Sequence, residues 1–312
     1  LKNSVIIAFL KRTKMHFNPL KLSDKNIINA YFKACKIVVS DLSFTNLFLW
    51  HFSRKIEWCE CEDCLIIRTT YPNEKPFIFY PLHKNSDKNA KKRALEALIA
   101  DFKAQNLPFS IHSLSTSDKD ELDLLMPELF SYEFREDRTD YIYDCQGLIN
   151  LAGKKYHKKK THYNNFCKAY DFSYEALSQA NAGELASVYS KWFEAQPNKT
   201  EGLKNEFIGI TAALENFSEL DFKGGILRVD GVIAAFSFGE MLNDECAVIH
   251  IEKGDINYNG VYQAINREFL AHEFSSAKIV NREEDLGIEG LRKAKQSYQP
   301  IYLEQKFNAS LK

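Results

Sequence analysis

Hydrophobic positions along the chain switch between helical and strand spacing, and the order of the switches predicts the elements. The first half opens with a short strand, HFNPLKL, and two helices. Three strands, a helix, a strand, a second helix and a closing strand follow. After the first strand the segments are, in order, SDKNIINAYFKACK, SDLSFTNLFLWHFSR, KIEWCEC, CLIIRTTY, KPFIFYPL, NAKKRALEALIADFKAQN, FSIHSLS, SDKDELDLLMPELF and RTDYIYDC. The predicted order is therefore β-α-α-β-β-β-α-β-α-β.

The second half repeats this order of elements. Its segments are, in order, FSYEALS, NAGELASVYSKWFEAQ, GLKNEFIGITAALENF, GGILRV, VIAAFSFGEM, CAVIHIEK, GVYQAINREFLAHEF, AKIVN, EGLRKAKQSYQP and IYLEQKF. Asp230-Gly231, between the first two strands of the three-strand run, is typical of a two-residue hairpin turn. One such set of elements has the order of the GCN5-related N-acyltransferase fold. We therefore predict an α+β protein of two tandem GCN5-related N-acyltransferase-like units, each a mixed, mostly antiparallel sheet flanked by helices.

The repeat sets the predicted domain boundaries. The regular pattern begins at Met15, so residues 1–14 are interpreted as an N-terminal extension that is not expected to be ordered. Residues 15–147 form the first predicted acyltransferase-like domain, and residues 148–312 form the second. A chain of 312 residues is long enough for two domains of ordinary size.

Composition indicates a globular protein. Hydrophobic residues make up 45% and charged residues 27% of the chain, and the formal net charge is -1. That balance argues against a general nucleic-acid coat, which would be basic overall. Since no apolar run approaches the roughly 18 residues that a membrane span needs, we expect no integral membrane segment.

The seven cysteines are an odd number without the spacing of a disulfide framework, which favours the cytoplasm. Three of them, Cys59, Cys61 and Cys64, lie close together in WCECEDCLII. Structural zinc requires four ligands, and no fourth Cys or His lies at a suitable spacing. We interpret the segment as a β-hairpin that turns at Glu62-Asp63, and we predict no metal.

One basic segment, LAGKKYHKKKTHYNNFCKAYD, stands out at the middle of this nearly neutral chain. No acidic residue lies between Asp144 and Asp171, and the segment holds six lysines and two histidines. On a helix its aromatic residues form one stripe and the lysines spread over the other faces; the stripe is Tyr156, Tyr163, Phe166 and Tyr170. Uncompensated lysines repel each other unless an anion is near, so polyanion or phosphate binding and an ordinary solvated surface both remain open.

Two further segments carry candidate chemistry. The loop EKGDINYNGVYQAINREF has Gly260 where backbone would approach a ligand, but it has less glycine and positive charge than a CoA loop. Three acids, Glu283, Glu284 and Asp285, follow the predicted strand AKIVN, where they would position or deprotonate an amine or lie solvated. His250 and Glu252 alternate on a strand and are predicted to share a face, as site residues or as core.

Several long stretches resemble a known family: LSFTNLFLW, LAGKKYHKKKTHYNNF, KGGILRVDGVIAAFSFGE, VIHIEKGD and NREEDLGIEGLRKAKQSYQP. They resemble the domain shared with the C-terminal part of bacterial phosphatidylglycerol lysyltransferases, and in particular a stand-alone branch of that family. The resemblance runs from about Met15 to Phe307. It implies tandem acyltransferase-like folds similar to the Fem-type peptidoglycan aminoacyltransferases, which transfer an aminoacyl group from charged tRNA to a hydroxyl or amine.

The resemblance implies an aminoacyl- or acyltransferase whose partner is charged tRNA or another phosphorylated donor. Two alternatives are an acyl-CoA-dependent N-acyltransferase and a non-catalytic RNA- or anion-binding protein of the same fold. No cofactor is predicted beyond aminoacyl-tRNA or acyl-CoA as the donor substrate. The candidate catalytic residues are Glu283, Glu284, Asp285, His250 and Glu252. The candidate substrate- or phosphate-binding residues are Lys155, Lys158, Lys159, His162, Tyr258, Gly260, Tyr262, Arg292, Lys295 and Tyr298.

Overall fold

Two β-sheets organise residues 15–312, which are the residues described by the structure, a computed structural model. The extension predicted for residues 1–14 lies outside this range. In chain order the strands are β1 (Asn18–Pro19), β2 (Lys55–Cys61), β3 (Cys64–Thr70), β4 (Phe77–Ile78), β5 (Leu82–His83), β6 (Ser110–Leu114), β7 (Phe130–Phe134), β8 (Asp140–Asp144), β9 (Phe172–Ala176), β10 (Lys223–Val229), β11 (Val232–Met241), β12 (Cys246–Gly254), β13 (Ile279–Asn281), β14 (Tyr302–Glu304) and β15 (Phe307–Leu311). The helices are α1 (Lys25–Cys35), α2 (Phe44–Trp50), α3 (Lys88–Ala104), α4 (Thr116–Leu125), α5 (Cys145–Asn150), α6 (His157–Ala169), α7 (Gln179–Glu194), α8 (Glu201–Glu215), α9 (Val261–Glu273) and α10 (Glu289–Gln296).

The first sheet belongs to a unit made of the described residues up to Cys35, Ser53–Arg135 and Lys306–Lys312. Its strand order is β1-β2-β3-β4-β6-β15-β7, with β5 beside β3. Strands β4 and β6 are parallel, whereas β2 and β3 form an antiparallel hairpin. Glu62 and Asp63 form its turn with φ angles of +52° and +58°, as a two-residue hairpin turn requires. The predicted hairpin is confirmed.

The second sheet belongs to a unit made of Lys36–Phe52 and Glu136–Gln305. Its strand order is β14-β8-β13-β12-β11-β10-β9, and the β12–β13 pair is parallel. Helix α9 packs on this sheet, and α6 adds its aromatic stripe to the same core. Tyr156 and Phe166 are fully buried there, and Tyr163 and Tyr170 pack against them. The predicted stripe is confirmed, and so is the prediction of two mixed sheets with flanking helices.

Each unit contains a segment that the predicted domain boundary near residue 148 assigned to the other unit. Strand β8 was placed in the first domain, but it pairs with β13 and β14 in the second sheet. Residues 36–52 also join the second unit, because α2 packs on α8. Local periodicity identifies a strand but does not encode its partner, which here lies more than 130 residues away in the chain.

The last predicted strand, IYLEQKF, is in fact two strands in different sheets. Strand β14 pairs with β8 in the second sheet, and β15 pairs with both β6 and β7 in the first. Strand β7 was not predicted, and only its first residue, Phe130, fell within the predicted helix SDKDELDLLMPELF. That helix stops at Leu125, two residues before Pro127, because proline cannot continue the backbone hydrogen bonding of a helix.

Packing of α2 on α8 depends on Gly209. A Cβ atom on this residue would lie 2.2 Å from the carbonyl oxygen of Leu49, which is backbone and cannot rotate away. Gly202 lies on the same helix, and a Cβ atom there would meet nothing within 4 Å. The two glycines therefore separate the effect of close packing from that of helix propensity.

We predict that Gly209→Ala destabilises the protein by about 1–3 kcal/mol, because the added methyl overpacks the helix contact. Gly202→Ala is the matched control, and it should be neutral or stabilise by up to about 1 kcal/mol through helix propensity. Urea denaturation followed by circular dichroism measures both. Equal effects of the two substitutions would show that α2 and α8 do not approach closely at Gly209.

Candidate functional site

A β-bulge at His250 sets the geometry of the second unit's polar groups. Phe238 of β11 lies opposite Ile251 and Gly239 lies opposite Ile249, so His250 is an extra residue without a partner. A bulge of this kind reverses the in-and-out alternation of the residues beyond it. Glu252 therefore turns towards α9, where it accepts a hydrogen bond from Asn266.

His250 itself turns to the other face of the sheet. Its Nε2 lies 3.0 Å from Oε1 of Glu240 and 3.4 Å from Oγ of Ser43, the residue that caps α2. Glu252 and His250 were predicted to share a face, and this prediction is wrong, because the bulge shifts the alternation by one residue. A sequence period cannot show a bulge, since every residue on both strands is compatible with a regular ladder.

His250 is held between two carboxylates. Its Nδ1 lies 2.8 Å from Oε1 of Glu283, opposite the contact with Glu240. Burial alone would lower the pKa of His250, but the hydrogen bonds to Glu240 and Glu283 outweigh it and raise the pKa to about 9. Burial also raises the pKa of Glu283, and the adjacent His250 opposes that rise. The imidazole is therefore protonated at neutral pH.

The three acids of the predicted turn have three different sets of partners. Glu283 contacts His250, and Glu284 accepts a 2.7 Å hydrogen bond from Nη1 of Arg138. Asp285 is buried and accepts hydrogen bonds from the Tyr141 hydroxyl at 2.7 Å and from Nε of Arg292 at 2.8 Å. Its other oxygen, Oδ1, accepts from the backbone N–H of Gly287 at 2.8 Å.

The pKa of Asp285 shows that these contacts dominate its environment. Burial would raise this pKa, but hydrogen bonds from Arg292, Tyr141 and the Gly287 N–H together lower it. A carboxylate with so many donors is held as an anion and orients the turn. The structure thus brings two predicted site residues, Asp285 and Arg292, together as partners of each other.

Lys295 fastens the backbone of the same turn. Its ammonium donates to the carbonyl oxygens of Arg282, Glu283 and Glu284, the last two at 3.0 and 2.7 Å. Burial lowers the pKa of Lys295 to about 8. Glu283 has a φ of +57°, an unfavourable conformation for a residue with a side chain. These three hydrogen bonds stabilise the turn in that conformation.

A second group of polar side chains lies beside the turn on the α9 face. Nη2 of Arg282 donates to Oε1 of Glu252 at 2.9 Å, and Asn266 donates to Oε2 of the same carboxylate at 3.0 Å. The Arg282 guanidinium lies 4.6 Å from the centre of the Tyr298 ring. Lys159 of α6 places its ammonium 3.9 Å from the centre of that ring. Lys159, Glu252 and Tyr298, three predicted site residues, therefore meet here.

The remaining lysines of the basic segment point outwards. Five are exposed, and none makes an ion pair within residues 15–312: Lys154, Lys155, Lys158, Lys160 and Lys168. Lys159 differs because it is half-buried. Burial, and then the positive charge of Arg282, lower its pKa to about 8. His162 is exposed on the same helix.

Gly260 brings the basic helix close to the start of α9. It has a φ of +91°, and a Cβ atom there would lie 2.7 Å from the carbonyl oxygen of His162. Tyr258 packs edge-on against Tyr170, and Tyr262 donates to the carbonyl of Gly254. In this structure the glycine therefore accommodates protein backbone, where the sequence suggested approach to a ligand.

Sequence reasoning missed several residues of the site. Arg282 stood inside the quoted motif NREED, but an isolated arginine in a predicted loop gives no sign of a buried ion pair. Glu240 lies near the end of a long apolar strand, Arg138 opens the predicted strand RTDYIYDC, and Tyr141 and Tyr143 look like ordinary strand aromatics. Their roles arise from contacts with the turn more than 100 residues away, except for Glu240, which reaches His250 across a hairpin.

The comparisons with known structures first identify the fold. The structure is similar to that of FemX, with a TM-score of 0.65 and 10% identity, over 96% of this chain and 98% of that one. It is also similar to L-PGS from Bacillus licheniformis, with a TM-score of 0.61 and 15% identity, over 85% of each chain. At these identities the likeness concerns the fold, and it confirms the predicted tandem acyltransferase-like fold.

The family then follows from the sequence. The family described as "Phosphatidylglycerol lysyltransferase, C-terminal" matches residues 32–310, so the chain belongs to this family, as predicted. A conserved protein of unknown function from Bacteroides thetaiotaomicron is 34% identical, with a TM-score of 0.89, over 95% of this chain and 99% of that one. An uncharacterized protein of Mycoplasmoides gallisepticum is 25% identical over 176 residues, and the match spans 56% of that relative's length.

Among residues 15–312, no helix is both long and apolar enough to cross a bilayer. Nor do three or more His, Cys, Asp or Glu side chains in that range converge as metal ligands. Burial raises the pKa of Cys59 and Cys64 to about 12, which keeps both as thiols. The cytoplasmic location stays a prediction.

We predict that the contribution of His250 to stability falls as pH rises from about 6.5 to about 9. The folded-state pKa of His250 is raised above 6.5, so its contribution is fully present below 6.5 and is lost as pH passes through about 9. The shift corresponds to roughly 3 kcal/mol at about 1.4 kcal/mol per unit. Urea denaturation at several pH values measures the slope.

Glu240→Gln provides the comparison for this prediction. Loss of one carboxylate should lower the pKa of His250 and move the pH-dependent fall in stability to lower pH. An NMR titration of the His250 ring protons reads the same pKa directly. Titration near 6.5 in the unaltered protein would contradict the doubly bonded imidazole.

Proposed function

We propose that this chain is an aminoacyltransferase that moves an aminoacyl group from charged tRNA to an amine or hydroxyl acceptor. Membership of the lysyltransferase C-terminal family supports transfer chemistry. The observation that carries the proposal is that α6 presents lysines to two different environments, solvent and a buried cluster. Its exposed lysines form a surface for phosphates, while Lys159 on the same helix reaches a buried cluster of ionisable groups.

The exposed face of α6 is the part that would hold the tRNA backbone. Five exposed lysines on α6 and just before it make no ion pair within residues 15–312, and no acid lies between Asp144 and Asp171. Lysines in this situation release condensed counterions when they meet phosphates, which makes binding depend steeply on salt. Phosphate contacts of this kind position a nucleic acid without reading its sequence.

The reaction needs little from the protein besides positioning and proton transfer. The acceptor nitrogen or oxygen attacks the carbonyl carbon of the aminoacyl ester and forms an amide or ester bond. The bond to the tRNA ribose oxygen breaks, and that oxygen receives the proton lost by the acceptor. The donor ester is already activated, so correct placement supplies much of the rate.

Among the three acids of the turn, Glu283 suits the proton transfer best. Burial raises its pKa, which brings a carboxyl group closer to the range useful for acid–base catalysis at neutral pH. Asp285 is held by three donors and serves to orient the turn. Glu284 pairs with Arg138 at the turn's edge. We therefore assign the acid–base role to Glu283.

We predict that replacing three exposed lysines with glutamine, in the variant Lys155→Gln/Lys158→Gln/Lys160→Gln, weakens tRNA binding and flattens its salt dependence. Each lost phosphate contact should reduce the slope of log K against log salt by about 0.7–0.9. Fluorescence anisotropy with labelled tRNA at several salt concentrations measures this. Lys191→Gln, an exposed lysine on α7, is the control. An unchanged slope in the triple variant would place tRNA elsewhere.

We predict that Glu283→Gln lowers the rate of transfer from charged tRNA by about 100-fold or more, since general acid–base groups contribute that much. Binding of tRNA should be unaffected. Glu289→Gln, which alters an exposed acid on α10, serves as the control and should retain the rate. Circular dichroism verifies that both variants are folded.

The assay also separates the alternatives. Incubation with pooled, labelled aminoacyl-tRNAs and, separately, with acyl-CoAs shows which donor is consumed. Consumption of acyl-CoA alone would favour a conventional N-acyltransferase. Salt-sensitive tRNA binding without turnover of any donor would favour a non-catalytic RNA-binding protein, and either result would reject the proposed function.

A further inference from the structure

The cluster around Tyr298 contains more positive charge than its carboxylate balances. Lys159 and Arg282 both lie against the Tyr298 ring, with the ammonium at 3.9 Å and the guanidinium carbon at 4.6 Å from its centre. Glu252 is the acid that contacts Arg282, and both of its oxygens are already engaged, by Arg282 and Asn266. Two cations and one anion leave one uncompensated positive charge.

The same cluster has buried polar atoms without partners. Within residues 15–312, Nη1 of Arg282 and the hydroxyl of Tyr298 are buried and make no hydrogen bond. Burial raises the pKa of Tyr298 to about 12, and Arg282 and Gln263 lie near enough to oppose that rise, although neither reaches hydrogen-bond geometry with the hydroxyl. Leaving a buried donor unpaired costs about 1–3 kcal/mol.

Lys159 adds a third donor beside the same ring. Its ammonium makes no ion pair within the described residues and contacts the face of an aromatic ring. Three donors on three separate elements therefore meet at the Tyr298 side chain: Lys159 on α6, Arg282 after β13 and the Tyr298 hydroxyl after α10. Such convergence of unpaired donors with excess positive charge is what an anion-binding site requires.

We propose that Lys159, Arg282 and Tyr298 form a binding site for one anionic oxygen group, a carboxylate or a phosphate, of the substrate. The inference rests on the proposed function and narrows its substrate class. An anion here would accept hydrogen bonds from all three donors and cancel the excess charge. It would also reduce the repulsion between the two cations that now lie on one ring.

The site has a consequence for specificity. A basic side chain, such as that of a lysyl group, would meet two cations here and would be repelled, whereas an acidic group would be attracted. The group that enters this cluster is therefore acidic, in contrast to the lysyl group in the family's name. It belongs to the acceptor, to an acidic aminoacyl group or to a phosphate of the donor.

Proton uptake gives a specific signature of the site. The pKa of Lys159 is about 8 in the empty cluster, because of burial and the charge of Arg282. A bound anion favours the charged form of the amine and raises this pKa. Binding at pH 8–9 should therefore take up protons, and this uptake should disappear in Lys159→Gln.

The test uses the full chain and two simple probes, inorganic phosphate and acetate, in isothermal titration calorimetry at constant ionic strength. Titrations in buffers of different ionisation enthalpy measure the proton uptake. Acetamide and methylammonium serve as neutral and cationic comparison ligands. Tighter binding of phosphate would indicate that the anionic group is a phosphate, and tighter binding of acetate would indicate a carboxylate.

Tyr298→Phe and Lys159→Gln are the decisive variants. The first removes an unpaired buried hydroxyl and keeps the ring, so its folding should be preserved. Each variant should weaken anion binding by at least tenfold, and Lys191→Gln, an exposed lysine on α7, should leave it within twofold. Equal loss in Lys191→Gln and Lys159→Gln, or unaltered affinity in Tyr298→Phe, would overturn the site.

These outcomes are independent of transfer activity. Anion binding that shows the expected variant pattern, in a protein that consumes no charged tRNA, would keep the site and reject the proposed function. Transfer from charged tRNA without detectable anion binding or proton uptake would reject the site and keep the function. Methylammonium binding in preference to acetate would overturn the specificity for acidic groups.

Discussion

The second unit's polar groups depend on His250, whose two ring nitrogens each lie within hydrogen-bond distance of a carboxylate. The bulge in β12 supplies one extra residue, which directs His250 to one face of the sheet and Glu252 to the other. His250 contacts Glu283 and Glu252 contacts Arg282, and these two partners are consecutive residues in the turn after β13. The turn is therefore held from both faces of the sheet, which a regular ladder could not achieve.

This turn is rigid because its polar side chains and backbone carbonyls make many hydrogen bonds. Lys295 donates to three successive carbonyls, and Asp285 accepts from a tyrosine, an arginine and a backbone N–H. A positive φ at Glu283 persists only because its surroundings over-determine it. Groups fixed in this way are preorganised, which is the arrangement that stabilises developing charge in enzymes generally.

Much of the fold could be predicted from local sequence patterns, because many of its elements depend on residues that are close together in the chain. The hairpin turns at Glu62-Asp63 and Asp230-Gly231, the aromatic stripe of α6 and most element bounds depend on residues close in sequence. What could not be predicted depends on distant pairs. Strand β15 pairs with β6 and β7, β8 joins the second sheet, and Asp285 pairs with Arg292 where sequence suggested two separate ligand contacts.

The position of β15 has a consequence for how the chain folds during synthesis. It lies between β6 and β7, so the first sheet lacks an internal strand until residues 307–311 have left the ribosome. The second unit likewise draws on residues 36–52, made long before the rest of it. Domains usually fold one after another from the N-terminus. Here β6 and β7 are synthesised before β15, the strand that lies between them, and neither sheet has all its strands until residues 302–311 have been made.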